Sequence, residues 1–374
     1  MSDALTSDDT RYIELALDLA HQGIGLASPN PTVGAVLVKD GAVVGEGTHH
    51  YDARDHAEIV AIRAAGERAG GATLYLTLEP CCHTGRTGPC TEAIIAAGIR
   101  RVVTSMRDPN PAVAGRGFAK LRGAGIAVET GAFEAEARKL NEAFACWITT
   151  GRPFVTLKSA LTLDGQLALP RSGKRKGSAW ITSEASRGEV QRMRHAADAV
   201  FTGIGTVLAD DPLLTDRSGL PRRRRLLRVV LDSRLRLPLR SILVKTAEND
   251  VLVVTTLPAK HPRARRLAKA GVEVLHIASS GGRPDLRAVL RELGQRDILS
   301  VLLEAGSTLN GAALAAGVVD KLVLFYAPKF AGRADVPFAR AKKLSLPVLS
   351  GVTLHRFGPD FAVEGYLHDV YRNH

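Results

Sequence analysis

Three of the chain's four cysteines, Cys81, Cys82 and Cys90, fall within ten positions, and His56-Ala57-Glu58 stands upstream of them. Thiolate and imidazole are zinc ligands, gathered in a zinc site about 2.0–2.3 Å from the metal. His56 and Cys81 lie 25 positions apart, the span of one helix and the strand that follows it. Packing such a strand on its helix brings those two ends together. Cys90 opens a predicted helix, where the N-terminal dipole favours a thiolate. Three protein ligands leave a fourth position for water, as in a catalytic site; a fourth protein ligand closes the site into a structural one. By composition His83 and Cys82 are alternative ligands.

Glu58 points to the chemistry. In zinc deaminases the signature H-x-E…P-C-x-x-C contains a glutamate that moves protons and does not bind the metal. His56-Ala57-Glu58 and Pro80-Cys81 fit it. The second cysteine follows after eight residues rather than two, with "CHTGRTGP" (82–89) between. Positions i and i+2 do not share a helix face. His56 and Glu58 can therefore serve one site only if His56 sits in the cap region of the helix. Arg86, between the cysteines, is a candidate for holding a substrate phosphate, against a solvent-facing arginine. Cys82 reads as a loop residue beside the site, and Cys146 as a small apolar core residue.

The elements that must position these groups follow from periodicity. Ile13, Ala16, Leu17 and Ala20 mark a helix near 10–22. "VGAVLVKDGAVVGEG" (33–47) is a hairpin about Asp40-Gly41. A helix is expected from His56 to Arg68, and a buried strand over 72–78 ends at Glu79-Pro80. A helix follows from Cys90 to about Ala97, then a strand over 101–106, the loop "DPNP" (108–111), a helix, a strand to Glu129 and a helix over 134–148. "TTGRP" (149–153) reads as a linker. Beyond it, strand patterns at 199–205, 227–233, 250–256, 272–278, 298–306 and 320–328 alternate with helical stretches. Both halves are thus α/β. In the second, "VLLEAGSTLNGAAL" (301–314) runs a buried strand into a helix through Gly306, Ser307 and Gly311. Bare backbone N–H groups at a helix start bind phosphate, although the G-x-G-x-x-G fingerprint is absent.

Bulk properties narrow the classes. A chain of 374 residues suggests two or three domains. No apolar run approaches ~18 residues, so no membrane span is expected. The start, "MSDALTSDDT", lacks the features of a signal peptide, and the expected location is the cytoplasm. Disulfides are not expected there. The net charge of +12 suits polyanions or phosphorylated small molecules. Its clusters, "PRRRR" (221–225) and "RSGKRKG" (171–177), contain no aromatic residue for stacking on bases and read as solvated basic loops.

The stretches "SPNPTVGAVLVKDGAVVGEG", "HAE", "TLEPCCHTGRTGPC" and "RDPNPAVAGRG" resemble the bifunctional riboflavin-biosynthesis deaminase/reductase family. The long gap between the cysteines is that family's own form. The resemblance implies a cytidine-deaminase-like domain over residues 1–149, zinc on His56, Cys81 and Cys90, Glu58 as the catalytic group and Asn30 against the pyrimidine. Members of the family usually have serine where this chain has Cys82. "VTLKSALTLDGQLA", "SAWITSEASRGEVQRMRHAADAVFTGIGTVLADDPLLTDR", "VVLDS" and "LLEAGSTLNGAAL" resemble the same family's second domain. That implies a dihydrofolate-reductase-like fold over 152–374 using NADPH. Cofactor contacts carry over to Ala160, Trp180, Thr206, Asp210, Ser233 and to Gly306, Ser307, Thr308, Leu309, Asn310, Gly311 and Ala312. Substrate contacts carry over to Ser178, Arg194, Leu214, Arg217 and Glu304. Lys158 and Asp164 are further candidates for proton transfer, or a structural ion pair. Arg234 and Arg236, just past Ser233, are candidates for the 2′-phosphate of NADPH.

The activity so implied is deamination of 2,5-diamino-6-(5-phosphoribosylamino)pyrimidin-4(3H)-one, then reduction of its ribose. A small-molecule substrate, no nucleic acid, no membrane and a homo-oligomer are expected. The rivals are a polynucleotide deaminase with a basic accessory domain and a zinc-stabilised nucleic-acid-binding module. The two sets of candidate residues do not interleave in sequence, so each half is expected to act alone.

Overall fold

Thr6 and Asp9 start the first helix, α1 (Ser7–Gln22), three residues earlier than its apolar periodicity predicts. The Thr6 hydroxyl accepts the Asp9 N–H at 3.2 Å, and the Asp9 carboxylate accepts the Thr6 N–H at 2.9 Å. A cap of this kind is worth about 1 kcal/mol. The computed structural model describes residues 5–84, 88–168, 180–332, 336–341 and 348–371. The chain forms two units. The first is Met1–Gly151 with Pro221–Arg224 and Tyr371–His374; the second is Arg152–Leu220 with Arg225–Val370.

In the first unit α1 is followed by β1 (Gly34–Lys39), β2 (Ala42–Thr48), α2 (Ala57–Ala65), β3 (Thr73–Leu76), α3 (Cys90–Ala96), β4 (Arg101–Thr104), α4 (Arg116–Gly123), β5 (Ala127–Thr130) and α5 (Glu134–Thr150). The sheet order is β2-β1-β3-β4-β5. The pair β1/β2 is the expected hairpin, turning at Asp40 and Gly41 with φ of 50° and 75°, the positive values a tight hairpin turn requires. The helix α2 lies so close to β2 that a Cβ on Gly47 would stand 2.1 Å from the Ala57 carbonyl oxygen. Only glycine permits that approach, and it seats the first turn of α2 against the sheet.

The second unit contains β6 (Phe154–Thr162), α6 (Glu184–Ala196), β7 (Ala199–Gly203), α7 (Ile204–Asp210), β8 (Leu227–Leu231), α8 (Ile242–Lys245), β9 (Val251–Thr255), α9 (Pro262–Lys269), β10 (Glu273–His276), β11 (Ser279–Ser280), β12 (Arg283–Pro284), α10 (Leu286–Gln295), β13 (Ser300–Glu304), α11 (Ser307–Ala315), β14 (Lys321–Ala327), β15 (Ser350–Phe357) and β16 (Asp360–Tyr366). Its large sheet runs β10-β9-β8-β7-β13-β6-β14-β16-β15. It is parallel from β10 to β14 and ends in the antiparallel hairpin β15/β16. The buried strands are rich in Val and Leu, as a sheet covered on both faces requires.

Two expectations change. The linker is shorter than "TTGRP", because Thr149 and Thr150 belong to α5. Their hydroxyls donate back to the Ala145 and Cys146 carbonyls at 2.7 and 2.6 Å, and Gly151, at φ 70°, ends the helix. Within 221–225, Arg223 and Arg224 are also not solvated, whereas Arg225 is exposed as expected. Arg223 donates its N–H to the Gly25 carbonyl at 2.8 Å and its guanidinium to the Ser28 carbonyl at 3.1 Å. It pairs with Asp52 at 2.9 Å and lies 4.0 Å from the Tyr51 ring centre. Arg224 donates to the Ser28 hydroxyl at 3.1 Å, and Arg225 pairs with Glu248. The run 171–177 lies outside the described residues. Among the described residues no helix is long and apolar enough to cross a membrane.

Candidate functional sites

His56 is the N-cap of α2 and Glu58 lies in its first turn. At the cap the backbone is extended (φ −74°, ψ 159°), so His56 escapes the helical phase that would turn it from Glu58. Cys81 follows β3 in the chain, and Cys90 is the first residue of α3, capped by Pro89. His56 Nδ1 lies 3.1 Å from Cys90 Sγ and 3.6 Å from Cys81 Sγ, and Cys90 donates its N–H to Cys81 Sγ at 3.3 Å. The three candidate ligand atoms all lie within 4.8 Å of one another. Neither Cys82 nor His83 joins that cluster. Cys146 is fully buried in α5.

The electrostatics suit a metal and a proton carrier. The hydrogen bond from the Cys90 thiol lowers the Cys81 pKa, against the effect of burial, and His56 adds to the lowering. Sharing that proton and being buried push Cys90 up. Glu58 is 4% exposed, and burial raises its carboxyl above the ordinary range. A raised carboxyl holds a proton more readily than an ordinary one, which suits a proton carrier. Asn30 Nδ2 lies 2.9 Å from His49 Nε2, and His49 Nδ1 lies 2.8 Å from the Asp55 carbonyl. This chain of contacts fixes the Asn30 amide. Arg86 lies outside the described residues.

One residue that anchors this site escaped the sequence reading. Glu79 is 3% exposed, and its carboxylate accepts four backbone N–H groups. They come from Asp108 at 3.2 Å, Gly115 at 2.9 Å, Gly117 at 2.9 Å and Phe118 at 3.2 Å. It thus ties the segment that carries Pro80 and Cys81 to the "DPNP" loop and to the start of α4. Nothing in the local pattern distinguished it from an ordinary strand end.

In the second unit, Glu304 at the end of β13 and Ser233 just past β8 stand at the C-terminal ends of parallel strands, the edge at which α/β sheets hold ligands. Glu304 ends β13 in register with Lys158 on β6. Lys158 Nζ is 3.3 Å from Glu304, and Arg194, at the end of α6, grips Glu304 through two nitrogens at 2.6 and 3.1 Å. Burial pushes the Glu304 carboxyl up, but Lys158 and Arg194 outweigh it and hold it down at about 2. Lys158 therefore pairs with Glu304 and not with Asp164, which instead accepts the Ala331 and Gly332 N–H groups at 3.1 and 2.9 Å. Ala160 lies on β6, Thr206 within α7, Asp210 at its exposed end, and Ser233 just past β8. Trp180 is 65% exposed, with the Arg187 guanidinium 5.1 Å from its ring centre.

Gly306 caps α11 next to Thr206. Ser307 is buried, while Thr308 is exposed and Leu309 and Ala312 are partly so. Asn310 and Gly311 face the protein. Asn310 donates to Ser159 and to the Phe338 carbonyl at 3.2 and 2.9 Å, and a Cβ on Gly311 would stand 2.1 Å from the Arg340 carbonyl oxygen. Packing alone thus explains the second glycine of this segment. Leu214 is buried and Arg217 exposed on the loop after α7. Arg234 and Arg236 are exposed around the buried Leu235. Ser178 lies outside the described residues.

Comparison with known proteins bears on both sites. The family model described as "RibD C-terminal domain" matches residues 153–363, and that described as "Cytidine and deoxycytidylate deaminase zinc-binding region" matches residues 6–106. Riboflavin biosynthesis protein RibD of Aquifex aeolicus is 45% identical over 325 residues, 87% of this chain and 88% of its own length. The protein of the same name from Synechocystis is 41% identical over 368 residues, 97% of each chain. Among solved structures, Acinetobacter baumannii RibD, form 1, aligns with a TM-score of 0.83 at 39% identity, covering 97% of this chain and 99% of that one. A Thermotoga maritima diaminohydroxyphosphoribosylaminopyrimidine deaminase/5-amino-6-(5-phosphoribosylamino)uracil reductase aligns at 0.82 and 38% identity, covering 96% and 99%.

Proposed function

The chain belongs to the bifunctional deaminase/reductase family of riboflavin biosynthesis, and from that premise we propose how its residues divide the work. It is a zinc-dependent deaminase and an NADPH-dependent reductase in one chain, with a cytidine-deaminase-like and a dihydrofolate-reductase-like domain. We assign deamination to residues 1–149 and reduction to 152–374. The deaminase acts on 2,5-diamino-6-(5-phosphoribosylamino)pyrimidin-4(3H)-one, and the reductase converts the ribose of the product to a ribityl chain. The partner is this small molecule rather than a nucleic acid. The engagement of Arg223 and Arg224 with other residues of the chain supports that reading. We place the enzyme in the cytoplasm, as a homo-oligomer.

The observation that carries the deaminase assignment is the convergence of His56, Cys81 and Cys90 with a buried glutamate two residues from the first of them. When bound by these three, zinc supplies an electrophile that brings the pKa of water toward about 7. Glu58 would take one proton from the attacking water and give it to the ring nitrogen, then take the second from the newly added hydroxyl and give it to the departing amine. Asn30, held by His49, orients the pyrimidine, and Arg86 is assigned to the phosphate. In the reductase NADPH supplies the hydride. Ala160, Trp180, Thr206, Asp210, Ser233 and the 306–312 segment are assigned to the cofactor. Ser178, Arg194, Leu214, Arg217 and Glu304 are assigned to the substrate, with guanidinium groups suited to its phosphate.

The test separates ligand from proton carrier. Glu58→Gln in the full chain is expected to keep its zinc and lose at least about 10²–10⁴-fold in deamination, with reduction of supplied deaminated product unchanged. Zinc lost together with activity would make Glu58 a ligand and overturn the assignment.

A further inference from the structure

Helix α6 ends in Gln191, Arg194 and His195, spaced i, i+3, i+4 and so on one face. All three side chains hold the same short stretch of the loop after α7. Gln191 Oε1 accepts the Arg217 N–H at 2.9 Å. Arg194 Nη1 donates to the Thr215 carbonyl at 3.1 Å. His195 Nδ1 lies 3.0 Å from Asp216 Oδ2, and since a carboxylate only accepts, the imidazole is the donor. The other carboxylate oxygen of Asp216 accepts the Ser218 N–H at 2.9 Å. Three consecutive residues, 215 to 217, are each tied to one helix face.

The loop needs such ties. Leu214 is buried with φ of +54°, a backbone region that bulky side chains enter only under constraint. The side chains of His195 and Asp216 are 5% and 7% exposed, so water competes little for their contact. The Arg194 that grips the Thr215 carbonyl also grips Glu304. The loop is thereby referenced to the same carboxylate that faces Lys158.

We propose that the buried His195–Asp216 pair is a positioning device for the reductase substrate, setting Leu214 and Arg217 against Glu304. This rests on the assignment of Arg217 to the phosphorylated sugar. Neither residue of the pair is among those assigned to substrate or cofactor, and the pair acts through the loop. It acts on the affinity for the sugar phosphate and leaves the nicotinamide side alone. The hydrogen bonds to Gln191 and from Arg194 hold backbone atoms and would serve any side chains there. The His195–Asp216 contact is the side-chain pair among the ties, and the one a substitution can remove cleanly.

The experiment is steady-state reductase kinetics of the full chain with supplied deaminated product and NADPH. His195→Ala is expected to raise KM for the product about tenfold, with KM for NADPH and the deaminase rate unchanged. Asp216→Ala is expected to give the same rise, and the double substitution no more than either alone. His195→Asn, whose amide N–H can still reach Asp216, is expected to recover most of the loss. It also keeps the test alive should the alanine variant fail to fold. An unchanged product KM in His195→Ala, with Arg217→Ala raising it, would overturn the proposal and leave the site assignment standing. An equal rise for both reactants would overturn it too, by showing a general loosening. If Arg217→Ala itself leaves the product KM unchanged, the assignment on which the proposal rests fails.

Discussion

Glu79→Gln changes one atom in the first unit, and its cost can be worked from four distances. A carboxylate has no donor, so both Glu79 oxygens are matched to pairs of backbone N–H groups, at 3.2 and 2.9 Å on one and at 2.9 and 3.2 Å on the other. Glutamine has one oxygen. Whichever way its amide turns, an NH₂ group faces two N–H donors that have lost their acceptor. The site is buried, so water does not replace the oxygen. Each unsatisfied buried donor costs about 1–3 kcal/mol, or roughly 2–6 kcal/mol for two. In a domain of about 150 residues each kcal/mol lowers Tm by about 2–4 °C, so a fall on the order of 10 °C is expected. Scanning calorimetry on the full chain reads it as a lowered transition for the first unit, with the second unmoved. Zinc content should fall with it, because Cys81 is two residues from the anchor. A Tm within a degree or two of the parent, with zinc fully retained, would refute the view that Glu79 holds the ligand segment in place.

Three further outcomes are expected. The Glu304 carboxyl is held at about 2 in the folded chain against an ordinary 4.5; its stabilisation is complete above about 4.5 and is lost as pH falls toward 2. Glu304→Gln should therefore melt lower at neutral pH yet lose less between pH 4.5 and 3 than the parent, and parallel melting curves would contradict this. Arg234→Ala should weaken NADPH by about ten- to a hundredfold and leave NADH nearly unchanged, as loss of a charge-assisted phosphate contact of roughly 1.5–3 kcal/mol implies; equal loss for both cofactors, or none, would remove Arg234 from the 2′-phosphate. A fragment ending at Gly151 lacks Arg223 and its bonds to Gly25 and Ser28, next to Asn30. It should deaminate with a KM raised by roughly tenfold, as one or two such bonds imply, and Arg223→Ala in the full chain should match it; a fully active fragment would show that these contacts do not shape the site.

The residues that could be read from sequence are those whose partners are fixed by local geometry. His56, Glu58, Cys81 and Cys90 announced themselves because helix starts and strand ends are local features, and the structure sets three of them within ligand distance of one another. Glu79 was silent because its partners are backbone N–H groups 29 to 39 positions away, and a backbone donor leaves no mark on residue type. His195 and Asp216 were silent for a similar reason, being 21 positions apart with a strand and a helix between. Thr149 and Thr150 misled because polar, β-branched residues favour linkers, yet their hydroxyls found carbonyls within their own helix. The glycines of 306–311 suggested a phosphate cradle. One of them is required by packing against Arg340.

The first unit is not contiguous in the chain, and synthesis makes that a matter of time. Residues through Gly151 emerge first, and Pro221–Arg224 follow about seventy residues later, a delay of roughly 4–14 s at about 5–20 residues per second. Until then the Gly25 and Ser28 carbonyls and the Tyr51 ring await the arginine that covers them. Tyr371, whose hydroxyl donates to the Arg138 carbonyl at 2.7 Å, arrives later still. The nascent deaminase half can therefore close its core, and the segment before Asn30 gains its arginine contacts only after about a third of the reductase half has been made.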